Sequence, residues 1–397
     1  MTEPAGPSVG ATGKFAILGI GILPALALGA IAVMLPAIAD AFGRGPNDIQ
    51  IKMVSTAVGF GTLMGAPLGG LLADRIGRRL TLMIATAIFG VLGCSIMLMN
   101  DLWAVIGARF IIGLATGMLG VGVAAVIGDL FTGNRQSRWI GYAGGLPAGL
   151  TLILIPLTGV LTDYSWRLGF SLYVLAVPIF LAVMFGLPKM APAAKNKGAD
   201  GELFLPLNKL PVNALLLAGI LGTLATGTSL YWPFRLREVG ITKAADIAIH
   251  ALPQVLCITL FALLYGRIRK GLSVQAVFLV SALLSAVGLG MIAFAPNHLW
   301  IIAGLAVEGV GIGMMMPNVT TYALAISPME YRGRILGVVK GVVYGSPFLT
   351  QFMLYPLSQI GGSVMALVGI CGMSLLLALG VSRGWIGRTP DQAPVLA

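Results

Sequence analysis

The sequence predicts an all-α membrane protein of about twelve spanning helices, arranged as two pseudo-symmetric six-helix bundles. Three observations carry that expectation. The 397 residues are 57% hydrophobic and only 10% charged, against roughly 25% charged in soluble globular domains. The apolar residues gather into runs long enough to cross a hydrocarbon core of about 30 Å, which takes roughly 20 helical residues. Glycine and arginine motifs also recur at one fixed spacing in the two halves.

The runs of the first half cover about 15–40, 50–73, 80–99, 102–130, 139–162 and 167–187. Those of the second half cover about 212–235, 245–267, 273–295, 299–326, 336–360 and 363–382. Most connections are short, so consecutive spans should be antiparallel neighbours. The exception is 188–210, with Pro192, Lys195, Asn196, Lys197, Gly198, Asp200 and Glu202. That polar stretch reads as a cytoplasmic linker between a bundle over 1–187 and another over 211–397. The first run begins near Phe15; it is too long for a signal-peptide core and is followed by further spans.

A net charge of +11 would suit a nucleic-acid partner if it formed one face. Instead the basic residues cluster in every second connection: Arg75, Arg78 and Arg79; Arg135 and Arg138; Lys189, Lys195 and Lys197; Arg267, Arg269 and Lys270; Arg332 and Arg334. The alternate connections hold fewer: Arg44, Lys52, Arg167, Arg235, Arg237 and Lys243. This is the positive-inside pattern, which places both termini in the cytoplasm of an inner-membrane protein and excludes a nucleic-acid role. Cys94, Cys257 and Cys371 lie inside apolar runs and read as small packing residues. His250 and His298 fall near the periplasmic ends of their spans, facing water, without a metal partner at helical spacing. No metal or cofactor is expected.

The repeat is specific in register. Arg138, Gly141 and Gly145 match Arg334, Gly337 and Gly341 at an offset of 196. Gly113, Gly117 and Met118 match Gly309, Gly313 and Met314 at the same offset. Arg75-Ile76 faces Arg267-Ile268 at 192. A shared register across three regions implies a duplicated six-helix unit. Small-residue stripes, Gly59, Gly61, Gly65 and Gly69 in the second span and Gly309, Gly311 and Gly313 in the tenth, let helices approach closely, either as fixed packing or as a sliding surface.

Residues Gly70-Leu71-Leu72-Ala73-Asp74-Arg75-Ile76-Gly77-Arg78-Arg79-Leu80-Thr81-Leu82 fill every defined position of G-x-L-A-D-R-x-G-R-R-x-x-L. In this the chain resembles the major facilitator superfamily, which carries that motif between helices two and three. Arg109-x-x-x-Gly113, Leu35-Pro36-x-Ile38-Ala39, Trp166-Arg167-x-x-Phe170 and Gly309-x-Gly311-x-Gly313-x-x-x-Pro317 are similar to further family motifs. The resemblance is to the twelve-helix drug:proton antiporter and sugar-efflux-like branch. It implies that Gly70, Asp74, Arg75, Gly77, Arg78, Arg79 and Asp129 form a cytoplasmic conformational latch. The fifth-helix antiporter motif, G-x8-G-x3-G-P-x-x-G-G, maps onto Tyr142, Thr151, Ile155, Pro156, Gly159 and Val160, so only Pro156 and Gly159 are kept. With Gly145 and Gly149 they are expected to give the fifth helix its flexibility.

Two charges lie deep in spans. Arg109 sits roughly 10 Å from the periplasmic end of the fourth span, and Glu308 roughly 14 Å into the tenth, at 1.5 Å per residue. An isolated charge there costs several kcal/mol or more unless paired or hydrated. In the resembled fold both helices line a central cavity. Arg109 would there hold an anionic group or a cavity carboxylate. Glu308 would exchange a proton or bind a cationic group, because desolvation disfavours the ionised carboxyl. The alternative for both is a structural hydrogen-bond network. Gln254, Asn318 and Gln351 lie at cavity depth. Tyr231 and Trp232 read more readily as interfacial belt aromatics than as substrate stackers. Asp40 reads as a solvated helix-end charge, and Lys340 as a side chain snorkelling to the cytoplasm.

No paired acids, H-E-x-x-H or nucleophile–base constellation marks an enzyme, and no G-x4-G-K-[ST] loop marks ATP use. The expected function is secondary active transport by alternating access: a monomer exporting a small amphipathic compound in exchange for protons. Proton-coupled uptake of a metabolite or organic anion is the alternative.

Overall fold

A computed structural model describes residues 10–188, 211–328 and 332–387. Apart from Pro188, the expected linker lies outside the described residues, as do the extreme termini. The described residues are almost entirely helical, without a β-strand among them.

The first span is α1 (Ala11–Gly29) followed by α2 (Ile31–Ala41), interrupted at Ala30. Then come α3 (Ile49–Ile76), α4 (Arg78–Ser95, prolonged by a 3₁₀ turn Ile96–Leu98), α5 (Leu102–Leu130) and α6 (Gly133–Tyr164). The sixth span is composite: α7 (Trp166–Gly169), a 3₁₀ stretch Phe170–Leu175 and α8 (Ala176–Gly186). The seventh is more broken still: α9 (Val212–Gly222), a π-helical turn Thr223–Gly227, a 3₁₀ turn Thr228–Leu230 and α10 (Trp232–Glu238). After it come α11 (Ala244–Gly271), α12 (Val274–Ala293), α13 (His298–Ala325) and α14 (Arg332–Ser382).

Eleven of these stretches are long and apolar enough to cross a membrane. The last, Ile335–Ser382, has 48 residues, or about 72 Å of helix, twice what one crossing needs. It turns back at Gly361 and Gly362, where the backbone is non-helical and Gly362 has φ 62°, a left-handed value that glycine adopts without steric cost. The expected twelve crossings follow. Short connections restart helices through side-chain caps: Asp101 accepts from the Ala104 N–H at 2.8 Å, Ser273 from Ala276 at 3.1 Å, and Asn297 from Leu299 and Trp300.

The chain divides into two compact units, Met1–Ala37 with Met53–Asp200 and Ile38–Lys52 with Gly201–Ala397. The α2–α3 connection therefore groups with the second unit, away from its neighbours in sequence. Its fastening is polar: Arg237 pairs with Asp40 at 2.6 Å, and Gln359 donates to the Asn47 carbonyl at 3.3 Å.

Within each unit the duplicated sequence register becomes a duplicated contact. A Cβ on Gly113 of α5 would collide with the Val58 carbonyl of α3, and one on Gly117 with the Thr62 carbonyl. In the second unit, Gly309 and Gly313 of α13 meet the Gln254 and Ile258 carbonyls of α11 in the same way. All four pairs are related by the offset of 196. Backbone contact at this range replaces the hydrophobic drive that lipid removes from helix pairing.

Gly65 of α3 lies against the Leu114 backbone, whereas Gly149 of α6 has open space where its Cβ would go. Gly65→Ala should therefore destabilise the protein by about 1–3 kcal/mol through overpacking. Gly149→Ala should be neutral or slightly stabilising. Thermal unfolding of the two variants in detergent measures the contrast.

Candidate functional site

Arg109 reaches the first unit's interior from α5 and is fully buried. Its guanidinium is spent on three acceptors: the Val54 carbonyl at 2.9 Å, the Tyr173 hydroxyl at 2.6 Å and the Ala27 carbonyl at 2.7 Å. These lie on α3, the 3₁₀ stretch of the sixth span, and the end of α1 just before its interruption. Tyr173 is held in turn, stacked on Phe89 with centroids 4.9 Å apart and seated where Gly93 has no Cβ. The side chain ties four spans of one unit together.

Glu308 of α13 is equally buried, but its partners are neutral. Thr228 donates to one carboxyl oxygen at 2.7 Å and Gln254 to the other at 3.0 Å. Among the described residues no basic side chain forms an ion pair with it. Thr228 lies in the broken seventh span. Thus each unit places one ionisable side chain from its fourth span against the interruption of its first. The hydroxyls of Thr223, Thr226 and Thr228 each turn back on the carbonyl four residues earlier, a pattern that bends helices, and Pro233 removes a further backbone donor.

Gln254 and Glu308 are the expected cavity residues that the structure brings together. Asn318 is buried and committed elsewhere, donating to the Val274 carbonyl at 2.9 Å and accepting from Tyr265 at 2.9 Å. Gln351 is buried in α14. Tyr231 and Trp232 are almost wholly enclosed, so neither is a belt aromatic: they sit at the break of the seventh span, where the chain turns inward. The expectation for Asp40 is also amended, since it is exposed yet paired with Arg237. Lys340 is exposed on α14. His250 and His298 lie side by side with ring centroids 5.6 Å apart, and no cluster of three metal-ligating side chains occurs among the described residues.

Of the latch residues, Gly77 turns the chain between α3 and α4 with φ 88°. Arg78 forms an ion pair with Asp129 and donates to the Ala125 carbonyl at 2.6 Å, both on α5. Arg79 donates to the Met184 carbonyl, near the end of α8. Asp74 and Arg75 are exposed, and Gly70 lies one turn before Asp74 on α3. In α6, Pro156 and Gly159 lie within one continuous helix, and Gly145 and Gly149 have no neighbour against their Cβ positions.

Three participants escaped sequence reasoning: Tyr173, Thr228 and Lys52. Lys52 reads as a loop cation but is 3% exposed. It donates to the Leu230 carbonyl, with its ammonium 4.4 Å from the Tyr231 ring centroid and 3.9 Å from that of Phe234. The spacing of threonines before Pro233 was the available signal for a broken span; nothing local signalled Lys52.

Residues 17–350 match the family model described as Major Facilitator Superfamily. The chain is 26% identical over 385 residues to the class D tetracycline resistance protein of Salmonella ordonez, covering 91% of this chain and 94% of that one. It is 23% identical over 304 residues to the quinolone resistance protein NorA of Staphylococcus aureus (strain COL), covering 75% and 77%. Among solved structures, the nucleoside transporter NupG aligns with a TM-score of 0.78 at 12% identity, covering 94% of this chain and 99% of that one. A D-xylose-proton symporter aligns at 0.75 and 15% identity, covering 96% and 97%. At such identities the shared feature is the fold.

The Arg109 network makes a direct prediction. Tyr173→Phe leaves one guanidinium N–H without its acceptor and should cost about 1–3 kcal/mol of stability, read as a lowered unfolding temperature in detergent.

Proposed function

The chain belongs to the Major Facilitator Superfamily, and from that premise we propose that it exports a small amphipathic compound in exchange for protons, with Glu308 as the proton carrier. That it is a multi-pass membrane transporter, not an enzyme, comes with the family; the direction, the coupling and the residue are the proposal. The single observation behind the choice of residue is a fully buried carboxyl whose partners are neutral donors. Such a group holds its proton in a dry setting and gives it up when water or a cation reaches it. Arg109 has no acceptor of that kind; its three bonds support the reading of a brace, not an anion clamp.

The mechanism proposed is alternating access by the two six-helix repeats. Arg78, bonded to Asp129 and the Ala125 carbonyl, would act with Asp74 as the cytoplasmic latch that steadies one state. The placement of basic residues supports an inner-membrane protein with both termini in the cytoplasm, and the unit proposed to carry out the cycle is the monomer. Resistance to tetracycline and to quinolones, named for the two relatives, supplies the first probes. Proton-coupled uptake remains the second reading on one observation: α6 keeps only Pro156 and Gly159 of the antiporter motif.

Everted membrane vesicles given an inward-acid gradient should accumulate tetracycline or a quinolone. Glu308→Gln at equal expression should abolish that gradient-driven accumulation while sparing counterflow of the same compound. Undiminished accumulation by Glu308→Gln would overturn the assignment. Uptake in right-side-out vesicles, with none in everted ones, would favour the second reading.

A further inference from the structure

We infer that the broken seventh span is a relay joining the proton on Glu308 to a strap, residues 38–52, fastened over that span's outer end. The inference rests on Glu308 as the proton carrier and goes beyond it, because it assigns Thr228 and Lys52 as positioning residues.

The relay turns on one hydrogen. The Thr228 hydroxyl has a single O–H and two acceptors within reach, the Leu224 carbonyl at 2.9 Å and a Glu308 carboxyl oxygen at 2.7 Å. When Glu308 is ionised, the hydrogen goes to the carboxylate and the Leu224 carbonyl loses it. When that carboxyl oxygen carries a proton, Glu308 donates to the Thr228 oxygen instead, and the Thr228 hydrogen returns to Leu224. Leu224 belongs to the π-helical turn Thr223–Gly227, so the carboxyl proton decides whether this wide turn is pinned. Around Glu308, the seventh span contributes Thr228, α11 contributes Gln254 and α12 contributes the Gly288 backbone. None of these is charged.

Two residues beyond Thr228 the same segment holds the strap. Lys52 donates to the Leu230 carbonyl and lies over the Tyr231 and Phe234 rings. At the other end of the strap Asp40 pairs with Arg237 of α10. The remaining charges there are locally paired, Arg44 with Asp48 at 3.4 Å and Arg235 with Glu238 at 2.7 Å. Between the two events runs a short wound stretch in which the Tyr231 N–H closes on the Thr228 carbonyl at 3.0 Å, so that Leu230 moves with Thr228. It changes from π to 3₁₀ winding, and Pro233 has no N–H to offer the Ser229 carbonyl. A change of winding at Leu224 therefore moves the Leu230 carbonyl and both rings relative to Lys52. Protonated Glu308 keeps the strap seated; ionised Glu308 loosens it. That order suits an exporter, in which the proton-loaded carrier returns with its outer side shut.

Lys52 itself reports the strap. In purified full-length protein in mildly alkaline buffer, acylation of Lys52 by a water-soluble amine reagent is quantified by mass spectrometry. The exposed Lys243 is the internal standard. Glu308→Gln, a neutral stand-in for the protonated acid, should lower Lys52 labelling about five-fold or more, the lower range of ordinary coupling between sites. Thr228→Val should remove the difference made by Glu308→Gln, and Thr228→Ser, which keeps the hydroxyl, should retain it. If Glu308→Gln abolishes gradient-driven transport but Lys52 labels equally in all these proteins, the relay is wrong and the proton carrier stands. If Thr228→Ser behaves as Thr228→Val, the hydroxyl hydrogen is not the link. If Glu308→Gln leaves transport intact, both readings fall.

Discussion

A side chain that can carry charge inside hydrocarbon must find its partners in protein, because lipid supplies none. Each unit meets this demand with an imperfect helix. Arg109 closes on the Ala27 carbonyl beside the interruption at Ala30, and Glu308 on Thr228 where the seventh span changes winding. At these places the Ala27 carbonyl accepts from Arg109 and the Thr228 hydroxyl donates to Glu308.

The two sites differ in what they do with that arrangement. A guanidinium keeps its charge in any protein setting, so three good acceptors make Arg109 a permanent tie. A carboxyl can lose its charge, and two neutral donors leave Glu308 free to do so. On the proposed reading, one duplicated frame would hold a fixed brace in the first unit and a proton-sensitive contact in the second. The glycine pairs Gly113–Val58 and Gly309–Gln254 hold the frame by close backbone approach. They let α5 and α13 lie near enough to their partners for the buried groups to reach.

Much of the architecture was legible in the sequence because hydropathy and the 196-residue register report the spans and their duplication. The spans and the motif around Gly77 followed directly. What sequence reading lacks is facing. Tyr231 and Trp232 stand at the right depth for an aromatic belt, yet both turn inward at a break that no hydropathy window sees. Lys52 carries the charge of a loop residue, yet it docks on a carbonyl and two rings some 180 positions later. Tyr173 was hidden because its importance comes from Arg109 and from the absent Cβ of Gly93, contacts distant in sequence. The recurrent threonines before Pro233 were visible; their meaning depended on a carboxyl from another span.

The central claim is that Glu308 exchanges a proton and that the seventh span answers. Infrared difference spectra of the reconstituted protein, taken between acid and alkaline buffer, test it most directly. The account predicts a protonated-carboxyl band that disappears on alkalisation and is missing in Glu308→Gln, accompanied by an amide change that Thr228→Val suppresses. A carboxyl band that survives Glu308→Gln unchanged, or an amide response indifferent to both substitutions, would contradict it.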